Sequence, residues 1–207
     1  SFSKNGAFAA YSISESGSDW RKVVFIDTKT KNILSDKLID VKFSGLSWKG
    51  NEGIYYSSYD KPTGSELSAK TDQHKLYFHK LGTVQKADKV IFGDKEKYRY
   101  VSGSVSEDDR YLFISVAVST SGNELYLKDL SSQNSKLIKV NEGFENDVDV
   151  VDNNDTTIYL LTNVNAPNKR VVAVDASNPN EKYWKEVIPE TENVLSVTTG
   201  SGFLFAE

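Results

Sequence analysis

The chain has 207 residues, of which 38% are hydrophobic and 12% aromatic, enough apolar surface for a substantial core. Its 25 basic and 29 acidic side chains give a net charge of -4 without a basic stripe, which argues against nucleic acid as a partner, and no apolar run reaches the length of a bilayer, which argues against a membrane one. Cysteine is absent, which excludes disulfides and thiol chemistry, and no residue cluster calls for a cofactor.

In chain order, the opening SFSKNGAFAAY lacks the charged start and apolar block of a signal peptide and reads as the middle of a strand unit. Asn5-Gly6 is a hairpin turn leading into a strand over 7–14. Trp20 to Asp27 and Ile33 to Leu38 follow as strands, and the unit's first strand is expected before Ser1. The second unit has strands at Phe43 to Trp48, Ile54 to Tyr59, Leu76 to Leu81 and Lys89 to Phe92, with a long polar loop from Asp60 to Asp72 carrying Pro62 and Gly64. The third is the most complete: Val101 to Val105, Tyr111 to Val118, Glu124 to Leu130 and Lys136 to Val140, with turns at Ser106 to Arg110 and Gly122-Asn123. The fourth turns at Asp152 to Asp155 and has strands at Thr157 to Thr162, Arg170 to Asp175 and Trp184 to Ile188. A fifth begins at Val194, turns at Thr199 to Gly202 and stops in its second strand. No segment of the third unit reads as a helix.

Equivalent second strands begin near Phe8, Ile54, Leu112, Ile158 and Phe203, at separations of 46, 58, 46 and 45 residues, the long step holding the Asp60 to Asp72 insertion. Four short strands per unit at a period in the forties point to β-propeller blades. The expected fold is therefore all-β: a partial β-propeller of about four blades, each a four-stranded antiparallel meander, with a β-sandwich as the alternative. The blades fall at about 1–40, 41–93, 98–141 and 147–189, with an incomplete one at 193–207, in a single domain 1–207. Trp20, Trp48 and Trp184 are expected to fill space between blades or cap a sheet end. An incomplete ring exposes blade faces, so self-association through its edges is a further expectation.

The chemistry is sparse. The nearest look-alike of a G-x-S-x-G nucleophile elbow, Gly45-Leu46-Ser47-Trp48-Lys49, lacks the last glycine and the strand-to-helix turn. His74 and His79, one before and one on the same strand, read as ordinary residues with no carboxylate in matching register for catalysis or metal binding. Asp147, Asp149, Asp152 and Asp155 lack the glycine and terminal glutamate of a calcium loop and read as a solvated face or channel lining. No catalytic residue and no metal ligand is assigned.

Several segments, in order, resemble the propeller domain of the prolyl oligopeptidase family: GSDW at 17–20, VKFS at 41–44, QHKLYFHKLGT at 73–83, SEDDRYLFIS at 106–115, NKRVVAVD at 168–175 and PETENVL at 189–195. That resemblance implies a two-domain serine peptidase that cleaves short peptides after proline. Its α/β-hydrolase catalytic domain is the partner of this chain and is not among these residues. A seven-bladed propeller filters substrates by size, and this chain would be about four of its blades. The resemblance also implies three site positions. Phe43 matches a phenylalanine lining the substrate side of the interdomain cavity. Asp19 matches an aspartate that pairs with an arginine, whose expected place is taken here near Ala117; that leaves Asp19 as a possible turn residue. Val101 falls where a larger apolar residue contributes to a subsite. A stand-alone binding scaffold is the alternative function, and the compartment stays open between cytoplasm and periplasm.

Overall fold

The computed structural model describes residues 1–60, 72–132 and 134–207. The bulk of the inserted loop, with Pro62 and Gly64, lies outside the described residues. Among the described residues, every regular element is a β-strand apart from two single 3₁₀ turns, Gln85–Ala87 and Glu181–Tyr183. Neither turn lies in the third unit, whose described residues are free of helix as expected. The fold is a partial β-propeller of about four blades, and the chain divides into two compact units, Ser1–Val105 and Ser106–Glu207.

In the first unit, β1 (Phe8–Ser14), β2 (Arg21–Asp27) and β3 (Ile33–Val41) form one antiparallel meander. β4 (Leu46–Lys49), β5 (Gly53–Tyr59), β6 (His74–Lys80) and β7 (Lys89–Phe92) form the next. The register across β5 and β6 is continuous from Gly53 opposite Lys80 to Tyr59 opposite His74. β8 (Tyr100–Val105) ends the unit. Every residue of β5 is buried, because both its faces are covered, whereas β3 alternates and the outer β7 is partly exposed and starts with a lysine. A short, charged outer strand discourages edge pairing. The core joins Phe25, Leu38, Ile54 and Trp48, with Trp48 stacked on Phe8 at 6.4 Å and edge-on to Phe25 at 6.0 Å.

In the second unit, β9 (Tyr111–Ala117), β10 (Glu124–Asp129) and β11 (Ile138–Lys139) run antiparallel, followed by the meander β12 (Val148–Asn154), β13 (Thr157–Thr162), β14 (Arg170–Asp175) and β15 (Lys185–Ile188) and the hairpin β16 (Val197–Gly200) and β17 (Phe203–Ala206). Its core includes Phe113, Leu125, Leu127, Ile158, Leu160 and Val172, and Trp184 packs against that cluster. The Trp184 indole donates to the Pro179 carbonyl at 2.9 Å.

Two expectations shift. Phe43 is not on a strand, because β4 begins only at Leu46 and β3 runs on to Val41. The turn expected at Asp152 to Asp155 is shorter, because β12 carries a bulge between Val150 and Asp152 and pairs as far as Asn154. Ahead of β1, Phe2 makes an isolated bridge to Ala9, and Ser1 and Ala10 exchange backbone hydrogen bonds.

Candidate functional site

Strand β6 sets up the site. His74 shares the parity of Leu76 along β6, so its side chain falls on the covered side of the sheet, and it is fully buried. Its Nδ1 accepts the Val101 N–H at 2.8 Å, and its Nε2 lies 2.9 Å from the Lys42 carbonyl oxygen. One nitrogen must accept and the other donate, so the ring is the neutral tautomer with hydrogen on Nε2. Tyr59 stacks on it at 4.4 Å. Burial lowers the imidazole to about 4, against the Lys42 bond, which pulls the other way. A buried imidazole without a carboxylate has no reason to charge.

Those two bonds join the first and third of the sequence-predicted positions. Phe43 follows Lys42 with φ of 50°, and Asp40 has φ of 55°. Left-handed backbone at a non-glycine residue persists only where the surroundings impose it. Here Ser58 does so from β5: its hydroxyl accepts the Lys42 N–H at 3.2 Å and donates to the Asp40 carbonyl. Ser44 accepts the Ser57 N–H at 2.7 Å, which fixes the other end of the segment. The turn thrusts Phe43 outward. It is 49% exposed, with its ring edge-on to Tyr59 at 6.3 Å and to Tyr100 at 6.0 Å.

Lys42 connects the second position. Its ammonium lies 5.1 Å from the centres of both the Trp20 and the Phe43 rings and 3.9 Å from the Asp19 carboxylate. Asp19 is therefore paired with a lysine, which corrects its reading as an unpaired turn residue. Its side chain is 66% exposed, so the pair itself contributes little. The larger effect is that a lysine stem only 12% exposed is sandwiched between two rings. Val101 is 1% exposed and donates its N–H to His74. Buried in this way, it supports the site from beneath, and the aromatic surface belongs to Phe43 and its neighbour Tyr100. Tyr59 donates its hydroxyl to the Arg99 carbonyl, and burial, assisted by Tyr100 and opposed by Arg99, pushes it up to about 12, so it stays neutral.

The structure thus gathers Asp19, Phe43 and Val101 around one neighbourhood and adds His74, which the sequence marks only as an ordinary residue, and Lys42 and Tyr59, which it does not single out. For His74 a signal existed in its parity with Leu76. For Lys42 and Tyr59 none did, because their roles depend on contacts between separate meanders. The arrangement can bind and orient an apolar group. It offers an aromatic face beside a shielded cation, and both nitrogens of its one histidine are committed to backbone.

His79 corrects a second expectation. It lies within β6, as does His74, and it has two carboxylate neighbours: Asp88 at 2.8 Å from Nδ1 and Asp36 at 3.3 Å from Nε2. Asp88 also accepts from the Tyr56 hydroxyl at 2.9 Å, and Asp36 from the Gly82 N–H. Burial works against the charged ring, but the Asp88 bond and charge, with those of Asp36, outweigh it and raise His79 above its ordinary value. The cluster ties β3 to β6 and to the 3₁₀ turn at Gln85–Ala87. Among the described residues no group of three or more His, Cys, Asp or Glu is placed to hold a metal. In the second unit, Asp147 and Asp149 share a face as alternation predicts, and the Lys169 ammonium lies 3.6 and 3.9 Å from them.

Residues 1–207 match the family model for the prolyl oligopeptidase N-terminal β-propeller domain. A prolyl endopeptidase of Elizabethkingia meningoseptica is 51% identical over all of the chain, and one from Elizabethkingia miricola 52%. Prolyl oligopeptidase A of Amanita bisporigera is 31% identical over 91% of the chain. The chain spans 29%, 29% and 28% of these relatives, respectively. Among solved structures, one from a study of two prolyl endopeptidases and their inter-domain dynamics superposes with a TM-score of 0.89 at 30% identity, covering 100% of the chain and 30% of that structure. Prolyl oligopeptidase B from Galerina marginata, solved with a 35-residue substrate for hydrolysis and macrocyclisation, superposes with a TM-score of 0.83 at 25% identity, covering 96% of the chain and 30% of that structure.

Proposed function

Since the chain belongs to the prolyl oligopeptidase family, as part of its N-terminal β-propeller domain, we propose that it is a non-catalytic, substrate-gating portion of a serine peptidase that cleaves short peptides after proline. Its partner is an α/β-hydrolase domain carried by the rest of the protein, and its ligands in that setting are short proline-containing peptides. The blades at 1–40, 41–93, 98–141, 147–189 and 193–207 then act as one partial propeller domain, working in the cytoplasm or periplasm. Among the described residues, no helix is long and apolar enough to cross a membrane.

The observation that carries this reading is the Phe43 segment. A half-exposed aromatic held in left-handed backbone by buried serine and histidine side chains is a preformed contact surface, of the kind that binding groups need and simple blade packing does not. Phe43 is the substrate-facing residue in this reading. Asp19 sets the edge of the face through Lys42, and Val101 supports it from below. Catalysis by acyl transfer belongs to the hydrolase domain, and the propeller decides what reaches it.

The test compares two substrates of the full-length protein: a short proline-containing peptide, and the same sequence displayed on a folded protein. Gating predicts cleavage of the first and protection of the second. Equal cleavage of both, or no preference for proline, would overturn it.

A further inference from the structure

The geometry points to His74 as a positioning residue that sets the presentation of the Phe43 face; this rests on the substrate-facing reading of Phe43. His74 touches no part of that face itself. It holds the Lys42 carbonyl on one side and the Val101 N–H on the other, so a single neutral ring spans the gap between the loop after β3 and the start of β8. The two groups it joins are not otherwise hydrogen-bonded to each other. Tyr59 stacks on its ring and also meets the Phe43 ring edge-on. Turning His74 would therefore disturb Phe43 by two routes, through backbone at Lys42 and through the Tyr59 ring. The Ser58 hydroxyl fixes the N–H of Lys42 and His74 fixes its carbonyl, so both polar groups of the residue before the left-handed turn are engaged.

The bonding demand is narrow. The residue at 74 must accept at one end and donate at the other, be neutral, and fill a fully buried ring-sized space. Glutamine meets the polar part of that demand and leucine meets only the volume. Without a partner, the Lys42 carbonyl and the Val101 N–H would be left unpaired in the interior, and the loop would relax to find water.

The experiment is steady-state kinetics of the full-length protein on a proline-containing dipeptide amide and on a longer proline-containing peptide, for wild type, F43A, H74L, H74Q and F43A/H74L. A lost aromatic contact predicts that F43A raises KM for the longer peptide about fivefold at unchanged kcat. H74L is expected to raise it to a similar degree, H74Q to restore most of it, and the double variant to be no worse than F43A, because both act through one surface. If F43A leaves KM unchanged, the substrate-facing reading itself fails. If F43A raises KM and folded H74L does not, His74 is structural only and the inference fails. Additive effects in F43A/H74L, or an H74Q as impaired as H74L, would equally overturn it. Should H74L not accumulate as folded protein, H74N carries the same comparison, since its shorter amide reaches only one of the two partners.

Discussion

At the scale of single residues, the two histidines of β6 have opposite effects on stability as pH changes. His74 is held at about 4 by burial, below its ordinary value of 6.5. As pH falls through 6.5, the unfolded chain takes up a proton that the folded chain refuses, so stability declines until the folded value is passed. Two to three pH units of mismatch correspond to roughly 3 kcal/mol. His79 has a raised value, so its contribution is fully present below 6.5 and is lost as pH rises through the folded value. Urea unfolding midpoints measured from pH 4 to pH 8 are therefore expected to flatten on the acid side in H74Q. H79Q is expected to be less stable than wild type at pH 6 by about 3 kcal/mol, because Asp36 and Asp88 then face a buried space with no cation between them. An H74Q profile that keeps the wild-type acid limb would mean that His74 titrates normally, and its burial would then not be what governs it.

At the scale of elements, close approach of backbone decides which turns can vary. Gly122, at the turn between β9 and β10, has φ of 73°, and a Cβ there would lie 1.7 Å from the Phe144 carbonyl oxygen. Gly6 has the same φ with nothing within 4 Å of an added Cβ. Replacing Gly6 by alanine costs only the left-handed strain, about 1 kcal/mol. G122A adds a backbone collision and is expected to cost at least about 3 kcal/mol, checked by thermal unfolding of the two variants side by side. Near-equal losses would contradict the close approach. The next residue shows why part of this was hidden. Gly122-Asn123 reads as an ordinary hairpin signal, and a turn is indeed there. Yet the buried Asn123 side chain accepts the Val148 N–H at 2.8 Å and donates to the Val148 carbonyl at 2.9 Å, which pairs it with β12 as a strand would be paired. Alternation and turn chemistry located β5 to β7 and β13 to β15 to within about two residues, since they depend only on near neighbours. The Asn123 bridge, the Asp36–His79 contact and the Phe43 loop join residues 16 to 43 positions apart, and no local pattern records such a meeting. The strand predicted from Phe43 to Trp48 starts three residues later, at Leu46, because the positive φ at Phe43 breaks extended backbone there.

At the scale of the whole molecule, the repeat period was the legible quantity. Separations of 46, 46 and 45 residues, with one longer step, are enough to assign blades, because a meander that cannot bury its own two faces must stack with copies of itself. Function was legible only through family likeness: in the proposed reading the residues that shape the candidate face bind and do not react, and the reacting groups belong to a domain outside these residues. Hydrolysis of a proline-containing dipeptide amide, followed with the full-length protein and with residues 1–207 alone at equal concentration, tests the non-catalytic gating role most directly. Turnover by the full-length protein and none by residues 1–207 is the predicted result, and turnover by residues 1–207 alone would contradict it.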